Sequence, residues 1–169
     1  QLLGAYNLEN VLAAIAVGLY FNVPVDKINA AIANYVPSNN RSQKMVTTHN
    51  TIFMDAYNAN PSSLALAIDN FKNVAGDAKL LILGGMKELG AESEIEHRIV
   101  LQSLVDAAFR NVMLVGDEFG VLKSSFQPFQ YFASTDDLCQ CLQNDRPAGY
   151  TVLVKGSRSN QLEKILPYL

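Results

Sequence analysis

Apolar positions divide the chain into two kinds of territory. Over the first forty residues they recur at helical spacing: Leu8, Val11, Leu12, Ile15 and Leu19 form one stripe, with Asn7 where an N-cap belongs. After Asn22-Val23, Pro24 opens a second predicted helix carrying Val25, Ile28, Ile32 and Tyr35 on one face. Two helices alone make a poor core, so residues 1–38 are expected to belong to something larger, with an apolar face left open. Val36-Pro-Ser-Asn-Asn-Arg-Ser-Gln-Lys44 then runs polar and without period, as a linker does.

Beyond the linker, short apolar runs alternate with helical patterns. Met45–Thr48 and Thr51–Ala56 read as strands of a hairpin turning at His49-Asn50. Ser62–Val74 carries Leu64, Ile68 and Phe71 at helical spacing, and Lys79–Leu83 is a buried strand ending in Gly84-Gly85. A helix over Glu92–Phe109, a strand over Asn111–Val115 and a short helix over Asp117–Ser125 follow. Gln130–Phe132, Asp136–Gln143, Thr151–Val154 and Ser159–Leu166 repeat the alternation. Apolar strands separated by helices predict an α/β fold, a mainly parallel sheet with helices on both faces. Ligands of such sheets sit beyond the C-terminal strand ends. Four loops lie there: Asp55–Pro61, Gly84–Gly90, Gly116-Asp-Glu118 and Lys155–Arg158.

Composition narrows the partners. Thirteen basic against 16 acidic residues give a net charge of −3, which argues against a nucleic-acid polymer as partner. The longest apolar run, Val11 to Phe21, is too short and too rich in Ala and Gly to span a bilayer. Nothing at the N-terminus reads as a secretion signal, and a chain opening on Gln1 is expected to be a fragment. Cys139 and Cys141 would point about 200° apart on a helix, so neither a disulfide nor a shared metal is expected, and a reducing cytoplasm suits them. With only His49 and His97 besides, no metal site is assigned.

Each candidate motif carries a structural alternative. In Asp55-Ala-Tyr-Asn-Ala-Asn-Pro61, Asn60 and Pro61 suit a helix start, but Asp55 at a strand end could equally accept from ribose hydroxyls or orient a metal-bound water. Gly84-Gly-Met-Lys-Glu-Leu-Gly90 is no P-loop, because neither G-x-x-x-x-G-K-[ST] nor G-x-G-x-x-G occurs in the chain. Lys155-Gly-Ser-Arg158 is either a solvated basic turn or a carboxylate or phosphate site. Arg41 reads as a solvated hinge charge or as a reach across a domain gap to a phosphate. Asn7 and Asn10 read first as a helix cap and its third position. His97, beside Glu94 and Glu96, reads as a surface or internally satisfied histidine before a catalyst.

Taken in order, these pieces resemble the C-terminal part of a Mur ligase. Gly4-Ala-Tyr-Asn-Leu-Glu-Asn10 is similar to the family's G-x-H-N-x-x-N, and Arg41 in Asn40-Arg-Ser42 stands where the family has its arginine. Asp55–Pro61 resembles D-x-Y-N-A-N-P, Leu83–Gly90 resembles L-G-D-M-x-E-L-G, and Lys155–Arg158 resembles K-G-S-R. Tyr6 replaces the histidine of the first motif and Gly85 the aspartate of L-G-D-M.

The resemblance implies a Rossmann-like C-terminal domain over 45–169 and a hinge at 39–44. Residues 1–38 would be the closing helices of a central ATPase domain. It also implies an ATP- and Mg2+-dependent cytoplasmic amide ligase of peptidoglycan synthesis, which adds D-Ala-D-Ala to UDP-N-acetylmuramoyl-tripeptide through an acyl phosphate. By that resemblance Asn7 and Asn10 would contact adenine, and Arg41 and Asp55 the ribose–phosphate part. Tyr57, Asn58, Lys155, Ser157 and Arg158 would face the dipeptide. The P-loop and magnesium ligands would lie upstream, so no catalytic residue is assigned here, the piece alone should be inactive, and self-association through residues 1–38 is expected. Two alternatives stay open: another amino-acid ligase of the superfamily, of the MurE or folylpolyglutamate synthase type, and a non-catalytic ligand-binding module.

Overall fold

The computed structural model describes residues 7–38, 40–76 and 78–169. Two helices come first, α1 (Asn7–Tyr20) and α2 (Val25–Asn34), joined by a turn in which the Val23 N–H donates to the Gly18 carbonyl at 2.9 Å. Asn7 is already helical, so it is not the N-cap its position predicts. Leu8, Leu12, Val17 and Leu19 stay exposed, and within the two helices only Asn7 and Ile28 are buried. The expected open apolar face is present. Gly4 to Tyr6 of the first motif and Asn39 of the linker lie outside the described residues.

The body is a six-stranded sheet. Its elements are β1 (Gln43–Val46), β2 (Thr51–Asp55), α3 (Pro61–Lys72), β3 (Lys79–Gly84), α4 (Ser93–Asp106) and β4 (Asn111–Val115), then α5 (Asp117–Gly120), β5 (Gln130–Phe132), α6 (Thr135–Asn144) and β6 (Thr151–Lys155). Strand order is β1-β2-β6-β3-β4-β5, with β1 antiparallel at one edge and all other pairs parallel. The chain thus moves outward from β3 to β5 and returns to insert β6 between β2 and β3.

Both faces are covered, which is why the strands read as continuous apolar runs. Leu64, Ile68 and Phe71 of α3 and Leu101 and Leu104 of α4 pack on Leu81, Leu83 and Leu114. Leu138 and Leu142 of α6, with Leu162 and Ile165, pack on Ile52, Met54, Val152 and Val154. Removing any one of these large side chains costs about 2–5 kcal/mol. Helix α3 starts where Asn60 accepts from the Ser63 N–H, the Ser63 hydroxyl returns the bond, and Pro61 occupies the first turn.

Element boundaries shift by one to three residues from the sequence reading in several places, and three differences matter most. Strand β1 begins at Gln43, because Gln43 and Lys44 pair with Met54 and Phe53, so the predicted linker gives its last two residues to the sheet. The last predicted helix is instead two 3-10 segments, Arg158–Asn160 and Leu162–Tyr168, parted by Gln161 at φ 51°. The helix expected over Asp117–Ser125 closes at Gly120 and continues as turns. Cys139 and Cys141 are both free. No helix among the described residues is long and apolar enough to cross a membrane.

Candidate functional site

Strands β2, β6 and β3 end side by side, with Asp55 opposite Lys155 and Lys155 opposite Leu83. This register sets a carboxylate and an ammonium on adjacent strands. Lys155 Nζ donates to Asp55 Oδ2 at 2.7 Å and to the Asn58 carbonyl at 3.2 Å, and its side chain is only 3% exposed. Asp55 Oδ1 accepts from the Ser42 N–H at 3.2 Å. One carboxylate therefore ties together the end of β2, the linker and the end of β6. Gly156 permits the close approach: a β-carbon there would stand 3.0 Å from Gly84 Cα and 3.1 Å from Gly84 N.

Between this strand edge and helices α1 and α2 lies a cavity of about 710 Å³, with Asn7, Asn10, Arg41, Asp55, Tyr57 and Asn58 in its lining. Asn10 Nδ2 donates to Asn7 Oδ1 at 3.4 Å, which keeps the two amides together on one turn of α1. The Arg41 guanidinium lies 3.6 Å from the centroid of the Tyr57 ring, and both residues are exposed. Such an exposed stack contributes roughly 0.5–1 kcal/mol, enough to bias where the guanidinium points. Side-chain amides offer paired donors and acceptors to a flat heterocycle, and a guanidinium offers a fork to an anion. Val11 and Ile32 add apolar wall between them. A planar base linked to an anionic group is the ligand class this cavity suits.

The remaining predicted residues separate from one another. Lys155 sits beneath the cavity, committed to Asp55 and Asn58, and is not in its lining. Ser157 is buried, and its hydroxyl accepts from the Lys87 N–H at 3.1 Å. Arg158 is exposed and paired with Glu163 at 2.6 Å. Tyr57 and Asn58, expected on the same wall as these, share the cavity with Asn7 and Asn10 instead.

Around the loop after β3 gather side chains from other elements to which sequence reasoning assigned no site role. His97 is wholly buried: Nε2 accepts from the Met86 N–H at 2.9 Å, and Nδ1–H donates to the Ser93 carbonyl at 2.6 Å. Burial lowers its pKa, outweighing the carbonyl bond and the Glu118 charge that act to raise it. It is the satisfied histidine of the two earlier readings. Asn160 Nδ2 donates to the Gly85 carbonyl at 2.8 Å. Glu118 pairs with Lys87. Burial acts to raise the Glu118 pKa, but the bond from Lys87 and its own backbone N–H outweigh it and leave the carboxyl below its ordinary value. The one sequence signal for Glu118 was its place in a strand-end loop. Among the described residues no three His, Cys, Asp or Glu side chains gather as metal ligands.

Comparison with known proteins adds an independent line. The family described as "Mur ligase, glutamate ligase domain" matches residues 40–158. The UDP-N-acetylmuramoyl-tripeptide–D-alanyl-D-alanine ligase of Treponema pallidum is 35% identical over 98% of this chain and 37% of its own length. The enzyme of the same name from Escherichia coli is 31% identical over 96% of this chain and 36% of its own length. The chain thus spans little more than a third of these relatives. A crystal structure of MurF from Acinetobacter baumannii superposes with a TM-score of 0.80 at 25% identity, covering 97% of this chain and 37% of that one. MurF from Thermotoga maritima, in complex with ADP, has the same fold, with a TM-score of 0.79 at 23% identity over 99% of this chain and 38% of that one.

Proposed function

The chain belongs to the Mur ligase family, and from that premise we propose that it is the C-terminal portion of an ATP-dependent amide ligase joining D-Ala-D-Ala to UDP-N-acetylmuramoyl-tripeptide. The observation that carries this reading is the convergence of Asn7, Asn10, Arg41 and Asp55 on one cavity. In it the two amides read the adenine edge, while Arg41 and Asp55 meet the phosphates and the ribose hydroxyls. The names of the curated relatives supply the substrates, and the ADP held by the Thermotoga MurF structure is of the ligand class that the cavity suits.

In the proposed reaction the ATP γ-phosphoryl group passes to the tripeptide carboxylate, giving an acyl phosphate and ADP. The dipeptide amine attacks the acyl carbon, loses its proton, and inorganic phosphate leaves. By the family resemblance, Mg2+ and a phosphate-binding loop would be supplied by the part of the complete ligase that this chain does not span. The part here closes on the nucleotide. Residues 1–38 act as the end of the ATP-binding domain, 39–42 as hinge, since Gln43 and Lys44 are paired in the sheet, and 43–169 as the closing domain. Asn40 and Ser42 already adopt positive φ, 58° and 47°, within that hinge. The Ser42 amide bonded to Asp55 couples hinge position to the strand edge.

The test is phosphate release by the complete protein with UDP-N-acetylmuramoyl-tripeptide and ATP, offered D-Ala-D-Ala or single amino acids. Turnover only with the dipeptide is expected. Preference for a single amino acid would move the chain to another branch of the superfamily, and no ATP turnover with any acceptor would leave a binding module.

A further inference from the structure

Arg41 is the one cation among the described residues that line the cavity, and within them it makes no hydrogen bond and no ion pair. The carboxylate of the same lining is already committed. Asp55 Oδ2 accepts from Lys155 at 2.7 Å, and Oδ1 accepts from the Ser42 N–H at 3.2 Å. What holds the Arg41 side chain is the Tyr57 ring, whose centroid lies 3.6 Å from the guanidinium carbon. That separation is van der Waals contact between flat groups meeting face to face. A guanidinium engaged through its face keeps its N–H donors, which lie in its plane, for other partners.

Both anchors of this stretch come from the end of β2 and the loop after it. Asp55 takes the backbone at Ser42, and Tyr57, two residues further on, takes the side chain at Arg41. The bond to Asp55 holds Ser42 at φ 47°, a left-handed conformation that a serine seldom adopts. Backbone and side chain are thus fixed separately, and the donors of Arg41 are left for an anion.

We infer that Tyr57 is a positioning residue, its ring the platform that presents the Arg41 donors to the phosphates of the bound nucleotide. The inference deepens the proposed function and rests on it for the identity of the anion. The platform is the ring face, so phenylalanine should serve at position 57 as tyrosine does, and leucine should not.

Titration calorimetry of the complete protein with ADP and with adenosine separates the roles. Tyr57→Leu keeps apolar volume without a π face. It should weaken ADP about fivefold and leave adenosine within about twofold, because adenosine carries no group for Arg41. Tyr57→Phe should bind both as the wild type does. On an Arg41→Ala background, Tyr57→Leu should cost no further ADP affinity. Equal weakening of ADP and adenosine overturns the proposal in favour of a ring stacked on the base. Losses that merely add to those of Arg41→Ala overturn it, as does a loss in Tyr57→Phe equal to that in Tyr57→Leu. A raised KM for D-Ala-D-Ala with unchanged ADP binding also overturns it and gives Tyr57 to the dipeptide. If the wild type shows the expected ADP pattern but ligates no dipeptide, the proposed function fails and the platform stands.

Discussion

The loops that follow β2 and β3 leave the same edge of one sheet, separated only by β6, yet they direct their polar groups oppositely. After β3, the carbonyl of Gly85 and the amides of Met86 and Lys87 are all taken up by Asn160, His97 and Ser157. After β2, Tyr57 and Asn58 are exposed at a cavity that Arg41, Asn7 and Asn10 also line. A buried polar group must find a partner inside the fold, while one at a cavity mouth can wait for a ligand. The first loop is scaffold, and the second is the one to which the proposed function gives the site. Asp55 stands between the two classes, bonded to Lys155 and to the Ser42 amide while still lining the cavity.

Asp55→Ala presses hardest on that distinction. It leaves Lys155, 3% exposed, without its carboxylate, and breaking such a buried pair costs about 3–5 kcal/mol. Urea unfolding should show this loss, and in the complete protein nucleotide turnover should fall by about a hundredfold or more. A destabilised variant that keeps full nucleotide affinity would move Asp55 into the scaffold class.

The scaffold was the more legible half. The Leu80–Leu83 run could only be a doubly covered strand, and Asn111–Val115 and Gln130–Phe132 match their predicted bounds. The return of β6 between β2 and β3 was not readable, because pairing partners far apart in sequence leave no periodicity. Nor was the end of the chain, where the apolar spacing of Leu162 and Ile165 fits a helix until Gln161 and Pro167 interrupt it. At the site, Asp55 and Lys155 stood out by residue type alone, but not that each is the other's partner. Glu118 looked like an ordinary acid after a strand, since its pairing with Lys87 exists only once β3 and β4 lie side by side.

A middle-sized effect should come from His97, which belongs wholly to the scaffold. His97→Ala opens a hole beside Phe119 and strips the Met86 N–H of its acceptor, a loss of about 2–4 kcal/mol. The pH dependence has a definite sign. Burial holds the folded pKa below the ordinary 6.5, so between the two values the unfolded chain binds more protons and stability rises with pH. The contribution is complete above about pH 6.5 and is lost as pH falls toward the folded pKa. Melting curves from pH 8 to 5 should show the decline, and His97→Gln, which keeps an acceptor without titrating, should flatten it. A wild-type slope unchanged in His97→Gln would mean that His97 is not buried neutral.

The smallest effects on stability divide the two classes most cleanly. Arg41 and Arg158 are both exposed, one stacked on Tyr57 and the other paired with Glu163. Exposed contacts of either kind contribute about 0–1 kcal/mol, so alanine at either position should barely change unfolding. Their ligand effects should differ. Arg41 lines the cavity and Arg158 does not. Calorimetric titration of the complete protein with ADP should show Arg41→Ala weakening Kd roughly tenfold, the size of one lost charge-assisted bond, with Arg158→Ala unchanged. Equal losses at both positions would mean that the nucleotide spans the sheet edge beyond the cavity, and the division between residues for ligand and residues for scaffold would fail at Arg158, on the turn after β6.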